Sequence, residues 1–321
     1  MKRIIAGLTL ILAGGIAHPQ EEDRLLVAEI KQSTVITEPA TLIKGFFKLG
    51  AILTYTADDK LFTENWKKDY EPENGSGKYS TEYLHFHYGL TNRIELAIAL
   101  PFVIKSMTCS IIDETPVNDS TMRTQYKSTG RGLGDIEFGI YYQLLEGSKT
   151  KPSLVSKLSM TFPTGKKNPT NIREILEYNY PTGKGETSVY LELIYRKITY
   201  PYSYSFYGLF QYSFGGEKIM LPYENPISFR SGNLYQAGGN FNFLLNDWIA
   251  VQNDLLLIYR QSDEYKGETA MASFSQTGIC YNPNISFQFK KFRLAQGVFI
   301  PLFGRYFPAN PQYNIDLQYI F

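Results

Sequence analysis

The sequence is poor in the residues that build metal centres, disulfide frameworks and many catalytic sites. Its 321 residues include only two cysteines, Cys109 and Cys280, and three histidines. Two cysteines are too few for a disulfide framework, and their separation fits no zinc-binding motif. We therefore expect no metal site and no cofactor. Whether Cys109 and Cys280 pair with each other stays open.

An excess of charge of one sign is also missing. The chain carries 32 Lys and Arg against 31 Asp and Glu, so its formal net charge is +1. It contains no basic tract, whereas surfaces that bind DNA or RNA depend on clustered positive charge. The sequence therefore predicts no nucleic-acid partner.

Beyond its start, the chain lacks an apolar run long enough for a helix that spans a membrane. The run Ile4–Ile16 follows Lys2 and Arg3 and closes on the small residues of Gly15-Ile16-Ala17. This order is typical of a cleaved signal peptide, and the run is too short to span a bilayer. We expect residues 1–17 to be removed on export. Any membrane crossing must then be made by β-strands.

Aromatic residues, in contrast, are plentiful. The chain has 25 Tyr and 21 Phe, which with its two Trp make 15% of the residues. Aromatic residues favour strands, and tyrosine suits a membrane–water interface because its ring is apolar and its hydroxyl is polar. The mean hydropathy of −0.23 does not argue against a membrane barrel, because the strands of such a barrel alternate apolar and polar residues and their average looks soluble.

The clearest pattern of alternation lies in Gly132–Leu145. One set of alternate residues is apolar or aromatic: Ile136, Phe138, Ile140, Tyr142 and Leu144. The opposite set is mostly polar: Asp135, Glu137, Gly139, Tyr141 and Gln143. Successive side chains of a strand point to opposite faces. The pattern lasts for about ten residues, the length of a strand that crosses a bilayer, with one face toward lipid and the other toward a lumen.

Similar segments recur along the chain, joined by alternately short and long connections. The predicted strands are 42–56, 79–89, 93–104, 132–145, 153–162, 185–196, 202–214, 232–244, 248–260, 272–289 with a break at Asn282-Pro283-Asn284, 292–302 and 312–321. They predict an all-β fold, a transmembrane antiparallel up-and-down β-barrel of about twelve strands with short periplasmic turns and long extracellular loops. A soluble β-sandwich is less favoured, because its sheet edges would need protection. The expected domains are a signal peptide (1–17), a periplasmic lead-in that can enter the lumen (18–41) and the barrel (42–321).

The final strand ends on an aromatic residue. Tyr313, Ile315, Leu317, Tyr319 and Phe321 share one face of it. A terminal aromatic residue on an alternating strand resembles the signal that the bacterial barrel-assembly machinery recognises. We therefore expect Phe321 to act as an assembly signal, with that machinery and outer-membrane lipid as partners.

Several turn and strand-end motifs resemble those of one family of outer-membrane proteins. They are Gly132-Leu133-Gly134-Asp135, residues 88–95 (YGLTNRIE) before Leu100-Pro101-Phe102, Phe162-Pro163-Thr164-Gly165, and residues 301–305 (PLFGR). Over residues 35–321 the chain is similar to the transporter-like MetA-pathway phenol-degradation family. Thr37-Glu38-Pro39 departs from the start expected for that family, Thr-Asp-Arg-Pro. The resemblance implies an outer-membrane barrel for uptake of small compounds, with aromatic or hydrophobic ones among them, and transfers no functional residues.

Polar residues on the predicted lumen face are the candidate site residues. They are His85, His87, Glu95, Asp135, Glu137, Lys157, Glu192, Asp254 and Asp316. Buried charges need partners, so ion-pair networks that hold the barrel's shape are the favoured interpretation. The alternative is a polar constriction that selects cations or polar solutes. His85 and His87 could begin a metal site, but the sequence places no further ligand beside them.

Three functions follow from these patterns. The first is a passive channel or uptake protein for small solutes in the bacterial outer membrane. The second is a closed structural or surface-binding barrel that transports nothing. The third is an outer-membrane hydrolase, which would need a nucleophilic Ser beside a His on the lipid-facing rim. His85 and His87 are predicted to face inward, so we expect no enzymatic activity.

Overall fold

The computed structural model describes most of the chain after the predicted lead-in. The described residues are 41–58, 60–70, 76–113, 122–147, 151–167, 170–174, 177–179, 181–218, 226–246, 248–266, 274–289 and 291–321. The predicted signal peptide and all of the predicted lead-in except Thr41 lie outside them. Among the described residues, no helix is long and apolar enough to cross a membrane.

Twelve antiparallel strands form the wall of a closed barrel. They are β1 (Phe47–Asp58), β2 (Ser76–Gly89), β3 (Ile94–Asp113), β4 (Met122–Leu133 and Ile136–Leu145), β5 (Ser153–Phe162), β6 (Thr187–Thr199), β7 (Tyr202–Lys218), β8 (Leu234–Asn246), β9 (Ile249–Arg260), β10 (Gln276–Phe289), β11 (Phe292–Arg305) and β12 (Gln312–Ile320). Each strand pairs with the next along the chain. The barrel closes where β12 pairs with β1, from Lys48↔Ile320 to Thr56↔Gln312. The predicted fold class is therefore confirmed.

Strand β4 shows how the alternation places side chains. Ile140 is 39% exposed on the outer face, whereas its neighbour Tyr141 is 5% exposed on the inner face. The other strands repeat this division, with large apolar side chains outward and mostly polar ones inward. A continuous apolar outer surface of this kind requires lipid around it. The barrel is therefore an outer-membrane barrel, and its short-turn end is the periplasmic one.

Aromatic side chains cluster at the periplasmic ends of the strands. Ring centroids lie 4.5 Å apart in Phe47–Tyr88, 5.1 Å in Tyr202–Phe243, 5.6 Å in Trp248–Phe289 and 4.7 Å in Tyr319–Phe321. Such a girdle is typical of the interface between lipid and water. Phe321 belongs to it, and its backbone N–H donates to the carbonyl oxygen of Phe47 across the closing strand pair. Its role in assembly stays a prediction.

The two largest differences from the predicted boundaries lie beyond Lys105 and at Asn282-Pro283-Asn284. In addition, β1 begins at Phe47 instead of Leu42, and β7 ends at Lys218 instead of Phe214. The segment 105–130 was expected to be a polar loop, but β3 runs on to Asp113 and pairs with β4 from Met122 onward. Outside the lipid both faces of a hairpin can be polar, so hydrophobic alternation does not mark it. Strand β10 also continues through Asn282-Pro283-Asn284. Its pairs with β11 keep one register on both sides, Tyr281↔Ile300 and Asn284↔Gly297, so Pro283 does not interrupt the strand.

Shorter strands extend the fold at the long-loop end. They are Lys60–Phe62, Lys68–Tyr70, Thr170–Glu174, Glu177–Asn179, Ile227–Arg230, Glu264–Lys266 and Phe307–Pro308. Lys60–Phe62 pairs with both Lys68–Tyr70 and Phe307–Pro308, forming a separate small sheet. This sheet brings the loops after β1 and β11 together at the outer mouth.

Because Ile140 and Leu145 face lipid at different depths in the membrane, replacing each with arginine should destabilise the protein by a different amount. Ile140→Arg should lower the free energy of unfolding by about 2–4 kcal/mol, because Ile140 lies outward in the middle of its strand segment. Leu145→Arg, outward at the periplasmic end of the same strand, should cost only about 0–1 kcal/mol. Denaturant unfolding in liposomes measures both values, and equal losses would contradict the assigned depth.

Candidate site on the inner face of the barrel

The structure places the predicted lumen residues on the inner face or at its outer rim. His85, His87, Glu95, Lys157, Glu192, Asp254 and Asp316 are buried inside the barrel. Asp135 and Glu137 are less buried and lie toward the long-loop end of β4. These residues do not form one cluster. The strand register divides them into separate groups around the wall.

The first group joins the start of the described chain to the wall near the periplasmic end. His87 Nδ1 and Glu95 Oε1 are 2.6 Å apart. The backbone N–H of Leu42 donates to the other oxygen of Glu95 at 2.6 Å. Thr41 is fully buried, and its hydroxyl donates to the side-chain oxygen of Gln143 at 3.4 Å. The residues before β1 therefore contact the interior of the barrel.

The second group is a charged arc across β4, β5 and β6. Lys157 Nζ lies 3.1 Å from Glu137 Oε1 and 5.2 Å from the ring centre of Tyr141. Lys157 is also the register partner of Glu192 on β6. The ammonium group of Lys157 thus lies between the Glu137 carboxylate and the ring of Tyr141, on a strand in register with Glu192, and all of these groups are poorly exposed to water. This arrangement compensates charge inside the barrel.

The third group surrounds Asp316 on β12. One carboxylate oxygen of Asp316 lies 3.9 Å from His85 Nε2, and the other lies 4.0 Å from a guanidinium nitrogen of Arg293. Gln318 donates its side-chain N–H to Asp316 at 2.5 Å. Asp316 therefore connects strands β2, β11 and β12 through polar contacts on the inner face.

Asp254 on β9 lies in a region rich in amide side chains. The hydroxyl of Tyr207 donates to Asp254 at 2.9 Å. Neighbouring inner positions on β8, β9, β10 and β12 carry Asn240, Asn242, Gln252, Asn282, Asn284 and Asn314. Gly297 on β11 lies in register between Asn284 and Asn314, completing the row across to β12. We call these six side chains the amide row.

An apolar cluster lines the lumen between the amide row and the outer mouth. It consists of Phe62, Tyr190, Tyr207, Leu209, Leu234, Leu256, Ile258, Cys280, Phe299, Phe307 and Ala309. Phe62 and Phe307 come from the small sheet at the outer mouth, so the loops fold inward onto the wall. A Cβ at Gly278 would lie 2.8 Å from the ring of Phe307. The absence of a side chain at this position allows the ring to pack against the backbone.

Asp135 organises the outer rim rather than the lumen. It accepts hydrogen bonds from the backbone N–H groups of Gly165 (3.0 Å) and Lys184 (2.6 Å). These residues belong to two copies of the same tetrapeptide, Pro163-Thr164-Gly165-Lys166 and Pro181-Thr182-Gly183-Lys184. A Cβ at Gly165 would lie 2.7 Å from the Cα of Gly183, so the close approach of the two tetrapeptides requires glycine. Burial lowers the pKa of the Lys184 ammonium in this outer loop.

Three of these features were not predicted from the sequence. The amide row was missed because isolated Asn and Gln residues carry no motif. The apolar cluster was missed because the alternation predicts polar residues on the inner face, so single apolar residues there look like irregularities. Two of its members, Phe62 and Phe307, also come from loops. The joint docking of the tetrapeptides on Asp135 was missed, although the repeated Pro-Thr-Gly-Lys was visible.

Among the described residues, no arrangement of side chains supports a metal site or the Ser–His pair of a hydrolase. No group of three or more His, Cys, Asp or Glu side chains among them could hold a metal ion. Both histidines of β2 are buried on the inner face, so neither can join a serine at the lipid-facing rim. Cys280 is buried in the apolar cluster, and the side chain of Cys109 lies outside the described set.

The fold is similar to those of several solved outer-membrane proteins. No family model matches the chain. The structure is similar to the COG4313 outer membrane channel from Pseudomonas putida F1, at 15% identity and a TM-score of 0.67, covering 88% of this chain and 97% of that one. Weaker similarity extends to the Pseudomonas putida toluene transporter TodX (9% identity, TM-score 0.46, 89% and 92% coverage) and to the translocator domain of autotransporter NalP from Neisseria meningitidis (9% identity, TM-score 0.45, 94% and 96% coverage). The similarity to the COG4313 channel shows an outer-membrane barrel fold, and membership of the MetA-pathway family stays a prediction.

The buried charge at Lys157 predicts a large stability effect. Lys157→Met leaves Glu137 and Glu192 without this cation, so the free energy of unfolding should fall by about 3–5 kcal/mol. The control is Arg93→Met, which breaks an exposed pair with Glu146 at 4.0 Å and should cost less than about 1 kcal/mol. Denaturant unfolding of refolded protein measures both. Equal small losses would show that the arc is well hydrated.

The rim predicts a local effect of Asp135→Ala. Without the carboxylate, the N–H groups of Gly165 and Lys184 lose their acceptor, so the two tetrapeptides should separate more easily. Trypsin should then cut after Lys166 and Lys167 faster than in the unchanged protein, with the barrel still folded. Glu146→Ala at the opposite end should leave cleavage unchanged. Equal cleavage in both variants would exclude the proposed role of Asp135.

Proposed function

We propose that the protein is a passive outer-membrane channel for small solutes, with aromatic or hydrophobic molecules among its substrates. The apolar cluster carries the second part of this proposal. It gives the lumen an apolar zone toward the outer mouth and an amide-rich and charged zone below it. Pockets for small molecules combine predominantly apolar walls with a few polar groups in the same way.

Similarity to a known channel supports the first part. The COG4313 protein of similar fold is described as an outer membrane channel. At 15% identity this supports a channel as the default hypothesis for the fold and says nothing about solutes. The substrate class therefore depends on the lining of this lumen.

A closed structural barrel is the second candidate. The observation that favours it is the burial of the inner face, where Gln252 and Glu192 have no solvent exposure. Conductance separates the two candidates. Refolded protein in planar bilayers should give discrete conductance steps if it is a channel, and folded protein without conductance would favour the closed barrel.

Two adjacent leucines on opposite faces of β9 test the apolar zone. Leu256 is buried in the apolar cluster, and Leu255 is 51% exposed on the outer face. In liposome-swelling assays, Leu256→Ala should change the entry rate of an aromatic glycoside relative to glucose, because only this variant alters the lining. Leu255→Ala should leave the ratio unchanged. An unchanged ratio in both variants would contradict selection of aromatic solutes by the cluster.

A further inference from the structure

Three arginines lie at the long-loop end of the strands, each beside an aromatic ring. The distance from the guanidinium carbon to the ring centre is 5.5 Å in each of Arg131–Phe102, Arg230–Tyr212 and Arg305–Tyr306. Contacts of this length are typical of cation–π attraction. The attraction holds each guanidinium group beside the wall.

The three arginines differ in their ion pairs. Arg230 lies 3.2 Å from a carboxylate oxygen of Glu264, and Arg305 lies 3.5 Å from one of Glu64. Arg131 forms no ion pair among the described residues, and its ring contact is with Phe102. Its positive charge is therefore available to an anion that the chain itself does not supply.

The strand register places a second cation and two hydroxyl groups next to Arg131. Arg131 on β4 is the partner of Ile104 on β3. One outward level further from the periplasm, Ser106 on β3 pairs with Thr129 on β4 and with Lys78 on β2. Residues opposite each other in a sheet point to the same face, and neighbouring strands are about 4.8 Å apart. We call Lys78, Ser106, Thr129 and Arg131 the outer polar patch.

The outer polar patch lies on the outer face at the boundary of the lipid. Leu133 is 44% exposed on this face, and its register partner Phe102 carries the ring beside Arg131. Arg131 is level with Ile104, about ten residues beyond the periplasmic start of β3 at Ile94. A tilted strand crosses the bilayer in about ten residues. Outward side chains at this level therefore meet lipid headgroups.

Charge complementarity favours an anionic headgroup. Lys78 and Arg131 provide two cations, whereas the one outward carboxylate in register beside them is that of Glu82, the partner of Phe102 on the membrane side of the patch. Glu82 forms no ion pair with either cation among the described residues. A guanidinium group binds phosphate through two N–H groups, an ammonium group binds it as a point charge, and hydroxyl groups donate further hydrogen bonds.

We propose that the outer polar patch binds the phosphorylated headgroup of a lipid in the outer leaflet of the outer membrane. The phosphate contacts Arg131 and Lys78, and the acyl chains lie along the apolar outer surface beside Phe102 and Leu133. Clusters of basic residues next to a membrane recognise phosphorylated headgroups in this way. The inference concerns the outer wall and does not depend on the passage of a solute through the lumen.

Native mass spectrometry of the refolded full chain in detergent tests the patch, with lipid A as the phosphorylated probe. Lipid A should bind, and lipid A from which a phosphatase has removed the phosphates should bind roughly tenfold more weakly or worse, because both cations then lose their anion. Arg131→Gln and Lys78→Gln should each weaken the binding of intact lipid A about fivefold, because each removes one cation from the headgroup contact.

Arg305→Gln is the matched control. It also removes an outward cation beside an aromatic ring, but one that is already paired with Glu64. This variant should leave the binding of lipid A unchanged. Inorganic phosphate at the same concentration should not displace lipid A, because it lacks the acyl chains that pack on the outer wall.

Three outcomes would overturn the proposal. They are equal binding of the two forms of lipid A, unchanged binding in Arg131→Gln, and an equal loss in Arg305→Gln, which would mean that lipid A is attracted by the basic surface in general. If a variant does not fold, the unchanged chain still decides. Preference for the phosphorylated form that weakens as salt is added supports the patch, and the lack of such a preference excludes it.

Discussion

Closure of the backbone hydrogen-bond ladder is the constraint on which the rest of the structure depends. In lipid, an unpaired N–H or C=O has no water to bond with, so an open sheet edge is not tolerated. The pairing of β12 with β1, nine residue pairs from Lys48↔Ile320 to Thr56↔Gln312, removes the edge. Once the barrel is closed, every second side chain must face inward. The polar residues that lipid excludes are therefore collected in one enclosed space.

Enclosure then determines how the charges are used. Lys157 lies beside Glu137 and is paired in register with Glu192, and Asp316 lies between His85 and Arg293. Charges away from bulk water are tolerated when they are paired, so these groups stabilise the wall whatever passes through it. Both interpretations offered by the sequence, structural pairing and a selective constriction, can apply to the same residues. The strand register favours the structural one, because the charges are distributed in separate groups around the barrel.

The outer mouth and the periplasmic end differ in chemistry. Toward the outside, Phe62 and Phe307 fold inward and complete an apolar cluster. Toward the periplasm, Thr41 and Leu42 attach to Gln143 and Glu95 among polar neighbours. A solute that enters from outside would thus meet apolar surface first and polar surface later. The channel proposal depends on both zones.

The sequence by itself determined the barrel, its approximate strand number and the direction of its faces. Alternation such as that of Ile140 and Tyr141 is a local pattern with a period of two. It predicts directly which side chains point outward and which point inward. Contacts between distant strands were decided only by the tertiary structure: the pairing of His87 with Glu95, the amide row across five strands, and the docking of both Pro-Thr-Gly-Lys segments on Asp135. The hairpin beyond Lys105 was missed because it lies outside the lipid, where both of its faces can be polar and the sequence need not alternate. Local pattern records which face meets lipid, whereas the register around a closed barrel sets which inner residues become neighbours.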